Sequence, residues 1–162
     1  LLYPLYYKTP AIFIASESPI TAVQLENGPF VVMGKRKENF TVSQWRQQAG
    51  WPETYYMMRL KAKGFSDEMT CTKTSCLFTK GKTKVAFLAP PKKNEKNPTP
   101  PTCPDADIII GYWDLSYCKA EHIIDKNALT KRGAHSITFD GAAPAITYVR
   151  DGSKKRPWSI KP

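Results

Sequence analysis

The chain has 162 residues and a mass of 18.3 kDa, which suits one domain with a single core and excludes a multidomain machine. Hydrophobic residues make up 41% and aromatics 12%, with 14 prolines and 9 glycines, so a disordered tail and a coiled coil are excluded as well. Twenty-four Lys and Arg against 14 Asp and Glu leave a net charge of +10, which favours anionic partners such as nucleic acid or a membrane surface.

The opening Leu1-Leu2-Tyr3-Pro4-Leu5-Tyr6-Tyr7-Lys8 resembles the interfacial end of a transmembrane helix, where tyrosines gather. Residues 1–10 are therefore read as a membrane-proximal or linker segment and residues 11–162 as one soluble domain. No run in the sequence approaches the ~20 apolar residues needed to cross a bilayer. Short strands are expected over 11–15 and 21–26. The turn signal Asn27-Gly28-Pro29 joins the second to a third over 30–33 as a hairpin. Asn39 or Thr41 can cap a helix reaching about Ala49, with Val42 and Trp45 on one face and Gly50 just beyond its end. Residues 52–63 suit a buried segment and an aromatic surface equally and receive no assignment.

Strands are expected at 69–72 and 75–79, and Lys80-Gly81-Lys82 turns the chain into an apolar strand over 83–89. Residues 90–104 form an exposed loop rich in proline and lysine, because prolines remove backbone donors and the polar residues bury nothing. Buried strands follow at 107–111 and 122–124. Asp125 has the character of an N-cap for a helix through Leu129 to Arg132, with Gly133 as terminator. A hairpin of 136–139 and 145–149, turning at Asp140-Gly141, closes the fold. The expected class is α+β, a sheet-dominated single domain with few short helices.

Cys71, Cys76, Cys103 and Cys118 are even in number. Proximity along the chain favours Cys71–Cys76 and Cys103–Cys118 disulfides, and an oxidising compartment with them. Free buried thiols and a zinc site are the rival readings, although C-x4-C followed by C-x14-C departs from zinc-finger spacing. Charge is uneven: residues 71–100 hold seven basic side chains and one acidic, the most cationic stretch of the chain. Lys73, Lys80, Lys82, Lys84, Lys92, Lys93 and Lys96 either solvate strand edges and a linker or form a patch facing DNA or lipid. Lysines act as point charges, so nucleic-acid binding would follow the backbone and respond to salt.

No metal-hydrolase signature or Walker loop is present, and two histidines, His122 and His135, cannot make a three-histidine centre. Gly81-Lys82-Thr83 reads as a turn, and Ser136, His135 and Asp140 lack the G-x-S-x-G elbow that would support a hydrolytic triad. Asn39-Phe40-Thr41 matches a glycosylation triplet but more simply starts the helix. Trp158, beside Arg156 and Pro157, either offers a stacking surface or pins the C-terminus to the core. No catalytic residue, cofactor, metal or small-molecule substrate is expected.

The order of these features is more informative than any one of them. Gln44-Trp45, the C-x4-C segment, Cys103 followed by Ala106-Asp107 and an isoleucine run, Ile124-Asp125, Arg132-Gly133-Ala134-His135 and Arg156-Pro157-Trp158 succeed one another. This order resembles the soluble C-terminal region of the ComEC family of competence proteins, the membrane channels of DNA uptake, in its proteobacterial form, over about residues 11 to 160. Many members have a metallo-β-lactamase-like domain there, proposed to degrade the strand that is not transported. Ala106-Asp107-Ile108-Ile109-Ile110 looks like the strand that precedes a metal-binding His-His pair in active relatives, but Gly111-Tyr112-Trp113 follows it here. The resemblance thus implies a reduced, metal-free form of that fold at the inner membrane, on its periplasmic side. The implied partners are the transmembrane portion of the channel and single-stranded DNA. Two alternatives are a purely structural domain that stabilises or docks the channel and a residual metal-dependent nuclease.

Overall fold

A computed structural model describes residues 8–26, 30–34, 40–50, 56–58, 67–141 and 143–149. In chain order the elements are β1 (Ile12–Ile14), β2 (Thr21–Gln24), β3 (Phe30–Met33), α1 (Phe40–Ala49), β4 (Tyr56–Met58), β5 (Met69–Cys71), β6 (Ser75–Lys80), β7 (Thr83–Leu88), β8 (Ile108–Ile110), β9 (His122–Ile124), α2 (Lys126–Arg132), β10 (His135–Asp140) and β11 (Ala143–Tyr148). They form a six-stranded sheet ordered β11-β10-β1-β2-β3-β4 and a five-stranded sheet ordered β5-β6-β7-β8-β9. The class is α+β and dominated by sheet.

Period-two alternation decides how the sheets face. Ile12, Ile14, Val23, Val31, Met33 and Ile137 from the first sheet meet Phe78, Val85, Phe87, Ile108 and Ile110 from the second in one buried core. The intervening residues Phe13, Ala22, Phe30 and Val32 point to the other side of the first sheet, where Val42 and Trp45 of α1 cover them. The Phe13 and Trp45 rings lie 5.5 Å apart, so the predicted apolar face of the helix is the face that packs.

Among the described residues no helix covers the outer face of the second sheet. Parallel neighbours need a long crossover, usually helical, and β7, β8 and β9 are parallel. Both crossovers, 89–107 and 111–121, are without helix or strand. A small cluster of Leu88, Ile109, Leu115 and Cys118, with Cys103 and Trp113 packed against it, fills this face. The Cys103–Cys118 disulfide joins one crossover to the other, giving covalently the closure that a packed helix would give by burial.

Several expectations change. Residues 56–58 form β4, a parallel edge strand beside β3; its hydrophobic run carries no period that distinguishes strand from buried loop. β9 was expected to be fully buried, but it is an edge strand with only Ile124 buried. The C-terminal hairpin forms as expected, and β10 pairs with β1 as well as with β11, which places it in the first sheet. The 90–104 loop is largely exposed, as its composition implies. The calls on residues 1–7, on Asn39 and on Arg156-Pro157-Trp158 lie outside the described residues.

Candidate functional site

All four cysteines are bridged, Cys71 to Cys76 and Cys103 to Cys118, which removes the zinc and free-thiol readings. The Cα atoms of the first pair are 4.0 Å apart, closer than expected for a hairpin bend, because the strand register sets the two residues directly opposite each other. Two disulfides belong to an oxidising, non-cytoplasmic compartment. Among the described residues no helix is long and apolar enough to cross a membrane, and no group of three or more His, Cys, Asp or Glu converges.

The residues with chemical interest in the 132–140 region are engaged in holding the fold. Gly133 ends α2 with φ +80°, a conformation that favours glycine, and its N–H donates to Leu129 O. Arg132 lies over the Tyr148 ring at 4.8 Å, a cation–π contact. Ala134 O accepts from Val149 N. His135 is buried, its Nδ1 within 2.8 Å of Gly133 O and its ring against Tyr148. Burial holds its pKa below the ordinary value and the Arg132 charge adds to this, against the opposing Gly133 carbonyl. Ser136 Oγ pairs with Thr147 Oγ1 at 2.7 Å, and Asp140 pairs with Lys8. Ser136, His135 and Asp140 therefore each have other partners and form no relay. A cavity of about 470 Å³ opens beside Trp45, His135 and Tyr148.

The lysines divide into two groups. Lys80, Lys82 and Lys84 surround the β6–β7 turn, whereas Lys73 sits in the β5–β6 turn at the opposite end of the hairpin. Five residue steps of strand separate the two ends, about 17 Å. Lys92 joins Lys73 on one groove, while Lys93 and Lys96 are exposed on the same loop. The seven lysines therefore do not gather at one end of the hairpin. The backbone N–H of Lys84 donates to the Asp107 carboxylate at 2.7 Å.

The groove is where the fold concentrates its unusual residues. It lies at the carboxyl ends of β7 and β8, beside the β5–β6 turn, at the edge where parallel strands commonly present ligands. Ala89-Pro90-Pro91 leaves β7 there, Gly111-Tyr112-Trp113 leaves β8, and Asp125 leaves β9 to cap α2 through Ala128 N. Trp113 Nε1 donates to Ala89 O at 2.6 Å, Ala89 N donates to Thr74 O at 2.8 Å, and Lys126 N donates to Trp113 O at 3.0 Å. The phenol of Tyr112 lies 2.8 Å from Ala15 O and 3.0 Å from Ile20 O, tying the second sheet to the β1–β2 turn of the first. Burial raises the Tyr112 pKa far above the usual phenol value, so it stays a donor.

The cavity holds about 390 Å³, within the range of roughly 300–1,000 Å³ usual for small-ligand sites. Trp113, Ala89, Pro90, Pro91 and Pro101 give it apolar walls, with Lys73, Lys92 and Glu95 among its polar groups. A smaller cavity of about 290 Å³, shared through Pro90 and Pro91, lies beside Tyr112 and Lys126. Sequence reading picked out Lys73 and Lys92 but not Trp113 or the proline pair as their neighbours. The signal for these was a Tyr-Trp pair directly after a three-isoleucine strand, at the place where parallel strands end.

Comparison of the chain with protein-family models, with curated proteins and with solved structures finds no match.

Proposed function

We propose that this chain is a non-catalytic, cationic accessory domain of a ComEC-like DNA-uptake channel, on the periplasmic side of the inner membrane, and that it contacts single-stranded DNA. The observation that carries this reading is the groove at the carboxyl ends of β7 and β8, which combines an exposed lysine on each of two loops with apolar walls. Three further features support it: the order of motifs resembles that family, the excess of positive charge is concentrated in residues 71–100, and the disulfides suit a periplasmic position. The fold is then a reduced form of the family's metallo-β-lactamase-like domain, with Gly111-Tyr112-Trp113 standing where active relatives carry a metal-binding pair.

The mechanism is electrostatic capture. Lysine ammonium groups replace counterions along the phosphate backbone, which favours any sequence equally and weakens with salt. Titrating a labelled single-stranded oligonucleotide with the oxidised protein at low salt, in the presence of magnesium, manganese or zinc, tests both halves of the proposal. Binding with the strand left intact is the expected result. Absence of affinity would remove the DNA contact, and metal-dependent shortening of the strand would remove the non-catalytic part.

A second reading, a structural domain that docks the membrane portion, is favoured by the internal engagement of Arg132, Gly133, Ala134 and His135. Under it, deleting the domain lowers the amount of channel while the remaining channel still takes up DNA.

A further inference from the structure

Resting on the reading that the domain meets single-stranded DNA, we propose that the groove beside Trp113 receives one unstacked nucleobase, with Lys73 and Lys92 holding the phosphates on either side of it. A nucleotide needs a flat apolar surface for its ring and cations for its backbone. Here both occur in one cavity of about 390 Å³. The lysines at the far end of the β6–β7 hairpin have no such surface beside them among the described cavities.

The site is built before any ligand arrives. The indole of Trp113 packs on the cluster of Leu88, Ile109, Leu115 and Cys118 and is fixed by the hydrogen bond from Nε1 to Ala89 O. Lys73 projects from a turn closed by the Cys71–Cys76 disulfide, and Thr72 Oγ1 accepts from the N–H of both Thr74 and Ser75 within that turn. The Pro101 wall is tied to Tyr117 by a 2.7 Å hydrogen bond from the phenol, in the loops that the Cys103–Cys118 disulfide joins. Two disulfides and three prolines therefore leave little backbone freedom to lose on binding, which lowers its entropic cost.

The same features select the ligand. Glu95 also lines the groove, and its carboxylate can accept from the exocyclic amino group of a base. A base paired and stacked within a duplex presents no free ring face, so entry requires a single strand. The expected order is oligo-dC ahead of a sugar-phosphate strand of equal length without bases, and ahead of duplex DNA.

Fluorescence anisotropy of the oxidised chain with labelled oligo-dC and with the matching abasic strand separates the base contact from the charge contact. Stacking of one base predicts roughly 5- to 150-fold tighter binding of oligo-dC. Trp113→Ala should abolish that preference. Because Trp113 also packs on the core, Trp113→Phe provides the check: it retains a ring and should retain most of the preference. Lys73→Gln should weaken both strands alike. Equal affinity of the native chain for the two strands would overturn the base site while leaving the DNA reading intact. Binding of neither strand would overturn the DNA reading and the base site together.

Discussion

Replacing Cys103 and Cys118 by alanine should cost this protein more stability than replacing Cys71 and Cys76. In the chain-entropy account a disulfide stabilises by restricting the unfolded chain, and the effect grows with the length of the closed loop. The 103–118 bridge spans a sequence separation of 15 residues and the 71–76 bridge a separation of 5. These lengths correspond to about 3 and about 2 kcal/mol at 25 °C. The difference is reinforced by position. Cys71 and Cys76 already face each other across a ladder of backbone hydrogen bonds, whereas Cys103 and Cys118 join two crossovers that have no ladder of their own. Against a typical domain stability of about 5–15 kcal/mol, the loss would be plain in equilibrium urea denaturation, read as the change in midpoint multiplied by the slope. Amide exchange adds a local readout: protection should fall over residues 89–107 and 111–121 before it falls in β7 or β8. Equal losses for the two pairs, or a loss for the 103–118 pair under about 1 kcal/mol, would refute the idea that this bridge replaces a packed crossover helix.

Three other outcomes follow from particular residues. Gly34 has φ +105°, and a Cβ there would sit 2.0 Å from Pro19 O, so Gly34→Ala must shift backbone and should lower stability by about 1–3 kcal/mol or more in the same urea assay. His135 has a pKa in the folded protein lower than its usual 6.5, so on acidification the unfolded chain takes up the proton first. Its contribution to stability is complete above about pH 6.5, falls as the pH drops through that value towards the depressed one, and is constant below it; urea midpoints of native and His135→Gln protein across this range should differ in slope in that direction. Replacing Lys73 and Lys92 together by glutamine should reduce the salt dependence of single-strand binding by about 1.4 in the log–log slope, at ~0.7 per phosphate, while replacing Lys80 and Lys82 should leave it unchanged.

The elements were legible where a short-range signal sufficed. Asp125 and Gly133 bound α2 as a cap and a terminator should, and Val42 and Trp45 mark the buried face of α1. The strands expected at 75–79 and 83–89, on either side of the Lys80-Gly81-Lys82 turn, likewise coincide with β6 and β7. The pairing of β10 with β1 across more than 120 residues was not legible, because strand alternation names an inward face and says nothing about which neighbour lies beside it. The same limit hid the site. Lys73, Pro90 and Trp113 come from three segments separated in sequence, and it takes the antiparallel pairing of β6 with β7 together with the parallel pairing of β7 with β8 to bring them to one edge. A count of lysines along the chain likewise cannot tell that the hairpin places Lys73 and Lys82 at opposite ends.

The most direct measurement is the affinity of the oxidised chain for a short single strand over a series of salt concentrations. Capture by Lys73 and Lys92 predicts a linear fall of log K with log salt, with a slope of about −1.4 for two phosphates neutralised. An affinity that does not change with salt, or no affinity at the lowest concentration, would contradict the account.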